Sequence, residues 1–263
     1  MHIDWRDSWF SVLIIGLLVS VFILQLLFPV LPAKALTPHI TTLIAMGGLG
    51  QQIVQELDQP FRLLTSALLH ADPIHLMMNG FALFFGLKIL HSIIGYAWTL
   101  CVLLLGTIGA SWTSMAFNDP HTVAVGASGG IMALFGAILV LGYFLKADPT
   151  IRQQLHGIVL RVALPSLLPI GGMMGINVDY SAHMGGFVAG ILIMWFSTLV
   201  MRALTRARLD GLWILRTIAT VLILWLGYGE IQIYKDYDWL ASELRLSATQ
   251  ESRGKAGDDT QAR

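Results

Sequence analysis

The sequence predicts an all-α polytopic membrane protein, and three observations carry that prediction. Of its 263 residues 56% are hydrophobic and only 12% charged, with a mean hydropathy of +0.70, whereas soluble domains carry about 25% charged residues. Apolar runs recur along the whole chain, each long enough to approach the roughly 20 residues that a membrane helix needs. Lys and Arg gather in the short connections between those runs, as topogenic charges do. Lys plus Arg balance Asp plus Glu at 16 each and no basic stripe is present, which argues against nucleic acid as a partner. The lone cysteine, Cys101, lies inside an apolar run; it allows no internal disulfide, and neither a metal nor another cofactor is expected.

The first apolar run covers residues 9–31. It is too long, and its start too weakly basic, for a signal peptide, so an uncleaved span is expected. Residues 32–71 form a mixed connection containing Pro, Gly and Asp that cannot all lie in lipid; parts of it are apolar enough to rest on the bilayer surface. Six further spans are expected at 73–90, 95–117, 125–145, 157–174, 180–201 and 212–232. The fifth is the least apolar, holding Arg161, Pro165, Ser166 and Pro169 before Gly171-Gly172. Its prolines each remove a backbone donor, which marks this span as the most weakly packed. Residues 233–263 turn polar and read as a separate tail, its last dozen or so disordered. The domain division is therefore a six-span core at 1–202, a loop and seventh span at 203–232, and the tail at 233–263.

Lys88, Lys146, Arg152, Arg161, Arg202, Arg206 and Arg208 lie to one side of the spans, against Lys34 and Arg62 on the other. This asymmetry puts the N-terminus in the cytoplasm, and spans 2, 4 and 6 all enter from the outer side.

Polar residues inside spans are expensive and need an account. His75 and Asn79 stand early in span 2, Ser128 early in span 4 and His183 early in span 6, so they share one outer layer. With span 4 beginning near residue 125, Ser128 is expected on the order of 5–8 Å below its start. His75 and Asn79 are four residues apart and share a helix face. Gly186 and Gly190 continue the face of His183, and Gly129, Ala133 and Gly136 give span 4 a matching stripe of small residues. Packed together, such stripes bring a histidine within reach of a serine, and a serine needs such a base because its hydroxyl is a poor nucleophile at neutral pH. Gly126-Ala-Ser128-Gly-Gly130 also fits G-x-S-x-G, but the strand–turn–helix context of that motif is missing. His70, Asp72 and Asp179 read as structural or capping residues. Arg62 reads equally as a headgroup anchor or as an organiser of the first loop.

At this point the chain resembles the rhomboid intramembrane serine proteases. The resemblance rests on His75-Leu-Met-Met-Asn79, Gly126-Ala-Ser128-Gly129 and Ala182-His183-Met-Gly-Gly186-Phe-Val-Ala-Gly190, in that order on spans 2, 4 and 6. It covers residues 9–202 and implies a six-helix rhomboid core with a seventh helix appended. It further implies that Ser128 is the nucleophile and His183 the general base, and that Asn79 and His75, with the Ser128 amide, form an oxyanion hole. Substrates would be single-span membrane proteins with small residues at the cut, entering from lipid past span 5. Cleavage would occur toward the outer face of what is expected to be a bacterial inner membrane. Two positions depart from the family pattern: Phe61 precedes Arg62 where tryptophan is usual, and Met132 stands where some members carry tyrosine. A rhomboid-like protein that binds membrane helices without cutting them is the alternative. A transporter fits less well, because the polar residues cluster in one layer and form no through-path. The sequence leaves the natural substrate and the oligomeric state open.

Overall fold

The computed structural model describes residues 8–144, 149–168, 178–206 and 211–261. Helix α1 (Trp9–Leu27) leads into a connection built from three short helices, α2 (Ile40–Ala45), α3 (Gln51–Glu56) and α4 (Arg62–Thr65), and a 3-10 turn at Ser66–Leu68. The longer helices follow: α5 (Pro73–Ile94), α6 (Tyr96–Phe117), α7 (Ser128–Phe144), α8 (Pro149–Leu167), α9 (Tyr180–Arg206) and α10 (Leu212–Gln261). Among the described residues there is no strand, only isolated bridges joining Lys34 to Thr37 and Leu49 to Ala124. The fold is all-α, and α1, α5, α6, α9 and α10 each contain a segment long and apolar enough to cross a membrane.

Helix α7 is shorter than these, at 17 residues. It sits at the centre, packed against α5, α6, α8 and α9. Ile131, Met132, Ala133, Leu134, Phe135, Ala137 and Ile138 are all at most 3% exposed. Sheathed by other helices along this stretch, α7 is not matched to lipid in the way its neighbours are. Its closest partner is α9. A Cβ on Gly186 would collide with the Gly129 carbonyl oxygen, one on Gly190 with the Ala133 carbonyl, and one on Gly136 with the Phe187 carbonyl. Small residues on both sides let the two backbones touch, which is how membrane helices associate without a hydrophobic driving force.

Helix α8 differs from the expected fifth span. It begins earlier, at Pro149, and carries Arg152, Gln153, Gln154, His156 and Arg161. Among the described residues it does not reach the apolarity of a spanning helix. Pro165 lies within it, whereas Pro169 and the Gly171-Gly172 pair lie outside the described residues.

The seventh helix also departs from expectation. In place of a span ending near residue 232, α10 continues through the polar segment to Gln261. Ala219, Leu222, Gly229, Ile233, Leu240 and Ala241 are buried, and Leu226, Tyr237 and Leu244 are partly so. These positions recur at steps of three and four, one unbroken helical face. Beyond the membrane segment that face packs on the first connection: Val30 and Ala45 meet Ala241, and Arg245 Nε donates to the Val30 carbonyl at 2.9 Å. A polar composition therefore hides an amphipathic stripe.

If the α7–α9 contact is as tight as its glycines imply, Gly190→Ala costs roughly 1–3 kcal/mol of stability. Gly227→Ala, with open space around the new methyl, costs nothing measurable. Reversible unfolding of both variants in mixed micelles would check the pair.

Candidate active site

Ser128 is the first residue of α7 and is half-buried; it therefore stands at the helix start rather than a turn or more inside it. The segment before it is held from the first connection. Leu49 and Ala124 exchange both backbone hydrogen bonds, at 3.0 and 2.8 Å, and the Gly126 N–H donates to the Ser66 carbonyl at 3.0 Å. Gly126 has φ +116°, where side chains are rarely tolerated. A Cβ there would also lie 2.8 Å from His75 Nε2 and 3.3 Å from Asn79 Nδ2. Glycine thus allows both the turn and the approach of the two α5 side chains to the backbone just before Ser128.

His75 and Asn79 are presented by the N-terminal turns of α5. Asp72 caps that helix, accepting from the His75 N–H at 2.8 Å, and Pro73 follows at its first position. Asn79 is buried, and its Nδ2 lies 3.0 Å from His70 Nε2. One amide hydrogen is thereby committed to His70 and the second is left for another acceptor. His70 is fully buried, and its ring meets that of His75 edge-on at 5.2 Å. Its backbone is clamped to α1 by Gln25, which accepts from the His70 N–H at 3.1 Å and donates to its carbonyl at 2.9 Å. Burial pushes the His70 pKa down to about 3; neighbouring His75 adds to this, while the Leu68 carbonyl and Asp72 oppose it. His70 is therefore a neutral acceptor.

His183 lies in the first turn of α9, 8% exposed. Asp179 precedes this helix; it accepts from the Ala182 N–H at 2.8 Å and receives the Ser114 hydroxyl from α6. His183 Nδ1 is 2.8 Å from the Ser166 carbonyl of α8. A carbonyl only accepts, so Nδ1 carries the proton and the neutral ring keeps Nε2 as its acceptor. His183 and His75 are within electrostatic reach of each other. No hydrogen bond joins His183 to Ser128 Oγ in this structure; such bonds commonly tighten only once substrate is bound. Beside Ser128 a cavity of about 30 Å3 is lined by Ser66, Thr107, Ser111, Ser114 and Asp179 among others. Among the described residues no cluster of His, Cys, Asp or Glu could hold a metal ion.

The structure thus brings His75, Asn79, Gly126, Ser128, Gly129, His183 and Gly186 into one layer, with Gly190 a turn deeper. Three participants were not evident from the sequence: His70, which holds the Asn79 amide; Gln25, which holds His70; and Ser166, whose carbonyl orients His183. Gln25 did carry a signal, as a lone amide in an apolar span, where a polar side chain needs a partner. Arg62 is 1% exposed and bonded within the first connection, so it orders the loop and does not reach for headgroups. Trp112, Trp195 and Trp213 are exposed, while Trp98 and Trp225 are partly packed on the interior.

A helical multi-pass membrane protein with a serine, two histidines and an asparagine gathered at one end of its bundle is the class that this fold and site define. The rhomboid domain family matches residues 57–200, more than half of the chain, and the chain belongs to the rhomboid family. It is 28% identical over 162 residues to Rhomboid-like protease 5 of Toxoplasma gondii, covering 61% of this chain and 19% of that one. It is 32% identical over 163 residues to RHOMBOID-like protein 4 of Arabidopsis thaliana, covering 60% and 39%. With RHOMBOID-like protein 5 of the same plant it shares 30% over 167 residues, covering 63% and 52%. The chain spans between about a fifth and a half of the length of these relatives.

A neutral buried His70 makes a pH prediction. Unfolded, the ring titrates near its ordinary 6.5; folded, near 3. Between those values the unfolded state binds the extra proton, so stability falls as pH falls through the window. In His70→Gln the slope of stability against pH between about 6 and 4 should flatten, by up to ~1.4 kcal/mol per pH unit. Unfolding midpoints of both proteins across that range would check this.

Proposed function

We propose that this protein is an intramembrane serine endopeptidase in which Ser128 is the nucleophile and His183 the general base. The observation that carries the reading is the His183 tautomer: with Nδ1–H committed to the Ser166 carbonyl, Nε2 is the ring's only basic position. It takes the Ser128 proton as Oγ attacks a peptide carbonyl, and returns it to the leaving amine. Water then hydrolyses the acyl-enzyme. The second Asn79 amide hydrogen, His75 and the Ser128 backbone N–H are the donors for the oxyanion; Gly126 lets the first two come close. The α7 N-terminus adds a dipole that favours negative charge there. The small cavity beside Ser128 suits a small residue at the cut. Family membership supports the reading. The substrates are single-span membrane proteins, and the site opens toward the outer face of a bacterial inner membrane, as the Lys and Arg distribution favours. A helix hides its carbonyls in hydrogen bonds, so the substrate must unwind locally before attack.

Ser128→Ala and His183→Ala should each abolish cleavage of a single-span reporter in proteoliposomes, and the double variant should be little worse than either. Asn79→Ala should keep more, losing about 10²–10³ in turnover because other donors remain. Labelling by a fluorophosphonate that persists in Ser128→Ala would remove the nucleophile assignment. A wild-type chain that binds membrane helices without cutting or labelling would be a non-proteolytic member of the family.

A further inference from the structure

The first connection contains a buried cation. Arg62 donates from Nε to Gln59 Oε1 at 2.7 Å and from Nη1 to the carbonyls of Ile44 and Gly48 at 2.8 and 2.9 Å. Gln59 is itself buried, and its Nε2 donates onward to Asp236 Oδ2 at 2.9 Å. With its oxygen committed to Arg62, the Gln59 amide turns its nitrogen outward and needs an acceptor there; Asp236 supplies it. Burial lowers the Arg62 pKa to about 10, and Asp236 opposes that shift. A cation, a bridging amide and a carboxylate therefore run in series from the loop to α10.

What Arg62 holds explains why this matters. Gly48, whose carbonyl it grips, precedes Leu49, and Leu49 pairs with Ala124 through two backbone bonds. At its other end α4 runs into Ser66, whose carbonyl accepts the Gly126 N–H. Both clasps on the segment before Ser128 therefore come from pieces of chain that Arg62 ties together. Asp236 lies on the part of α10 that packs against this connection, beside Ile233 against Gly47 and Ala241 against Ala45. The helix has length to reach there: 50 residues extend ~75 Å, against a hydrocarbon core of ~30 Å. The family match ends at residue 200, so the relay joins a helix outside the matched region to the loop that carries the site.

We propose that Asp236 is a positioning residue: through Gln59 and Arg62 it fixes the segment 122–128, so that α10 sets the reactivity of Ser128 without touching it. The effect on catalysis rests on Ser128 being the nucleophile; the effect on the segment does not. Two measurements on the full-length protein separate them. The first is amide hydrogen exchange at Ala124 and Gly126, and the second is the inactivation rate constant and binding constant of a fluorophosphonate. Asp236→Ala should speed exchange across 122–128 at least tenfold while leaving α8 unchanged. It should also lower the maximal inactivation rate about tenfold with the binding constant unmoved. Gln59→Ala should do the same, and the double variant should add little, because the residues act in series. Asp236→Asn, which keeps an acceptor and drops the charge, should recover most of the exchange protection and guards against a misfolded alanine variant. Tyr234→Ala, 84% exposed on the same stretch of helix, should match wild type in both readouts. Exchange at Ala124 and Gly126 that is unchanged in Asp236→Ala overturns the proposal, as do losses that multiply in the double variant. Faster exchange in a protein whose Ser128 never labels would keep the relay and remove the protease reading.

Discussion

The backbone contact between α7 and α9 is the constraint on which the rest depends. Ser128 and His183 open those two helices, so the distance between the helix axes limits how near the hydroxyl and the imidazole can come. Any Cβ on Gly186 would force the axes apart at Gly129, one residue from the serine. Around this pair α5 and α6 complete the layer, and the first connection closes it at the end where Ser128 stands. Several polar groups in that layer are held by specific neighbours: Asn79 by His70, the His70 backbone by Gln25, the His183 ring by Ser166. In a low-dielectric interior such pairing keeps a buried polar cluster from being a liability.

The clasps around the serine are made from the backbone rather than from side chains. Leu49 and Ala124 form a two-bond bridge in a protein whose described residues form no strand, and Gly126 reaches Ser66 through its amide. Side-chain identity is nearly free at such contacts, which is why no motif announces them. The α9 start is anchored differently: Asp179, Ser114, Asn118 and Ser181 form a side-chain network that joins it to the end of α6.

Much of this architecture was legible in the sequence. Hydropathy located the helices, and the spacing of Gly186 and Gly190 below His183 announced the close helix pair. What stayed hidden did so for physical reasons. The C-terminal half of α10 reads as polar because a helix needs only one apolar stripe, and Ile233, Leu240, Ala241 and Leu244 are diluted by charged neighbours. Hydropathy starts α7 too early because Val123 and Val125 are apolar, although they belong to a loop that Gly126 turns. At the fifth span hydropathy misleads in the opposite sense: Arg152, Gln153 and Gln154 read as a loop, yet they extend the helix. His70 reads as structural, but which group it holds depends on the distance to Asn79, which sequence separation does not report.

The hydrogen bond between His183 and Ser166 ties the state of a side chain on one helix to the position of another. Ser166 stands in the last turn of α8, where helix carbonyls lack intrahelical partners, so its oxygen is free to hold the imidazole. The proton inventory of the ring is therefore set by a different helix from the one that bears it. A displacement that carried the end of α8 outward would withdraw that oxygen. The ring could then turn or exchange its tautomer, and Nε2 would no longer be reserved as the acceptor. The position of the end of α8 and the tautomer of the His183 ring are thus two aspects of one hydrogen bond, and neither can change without the other.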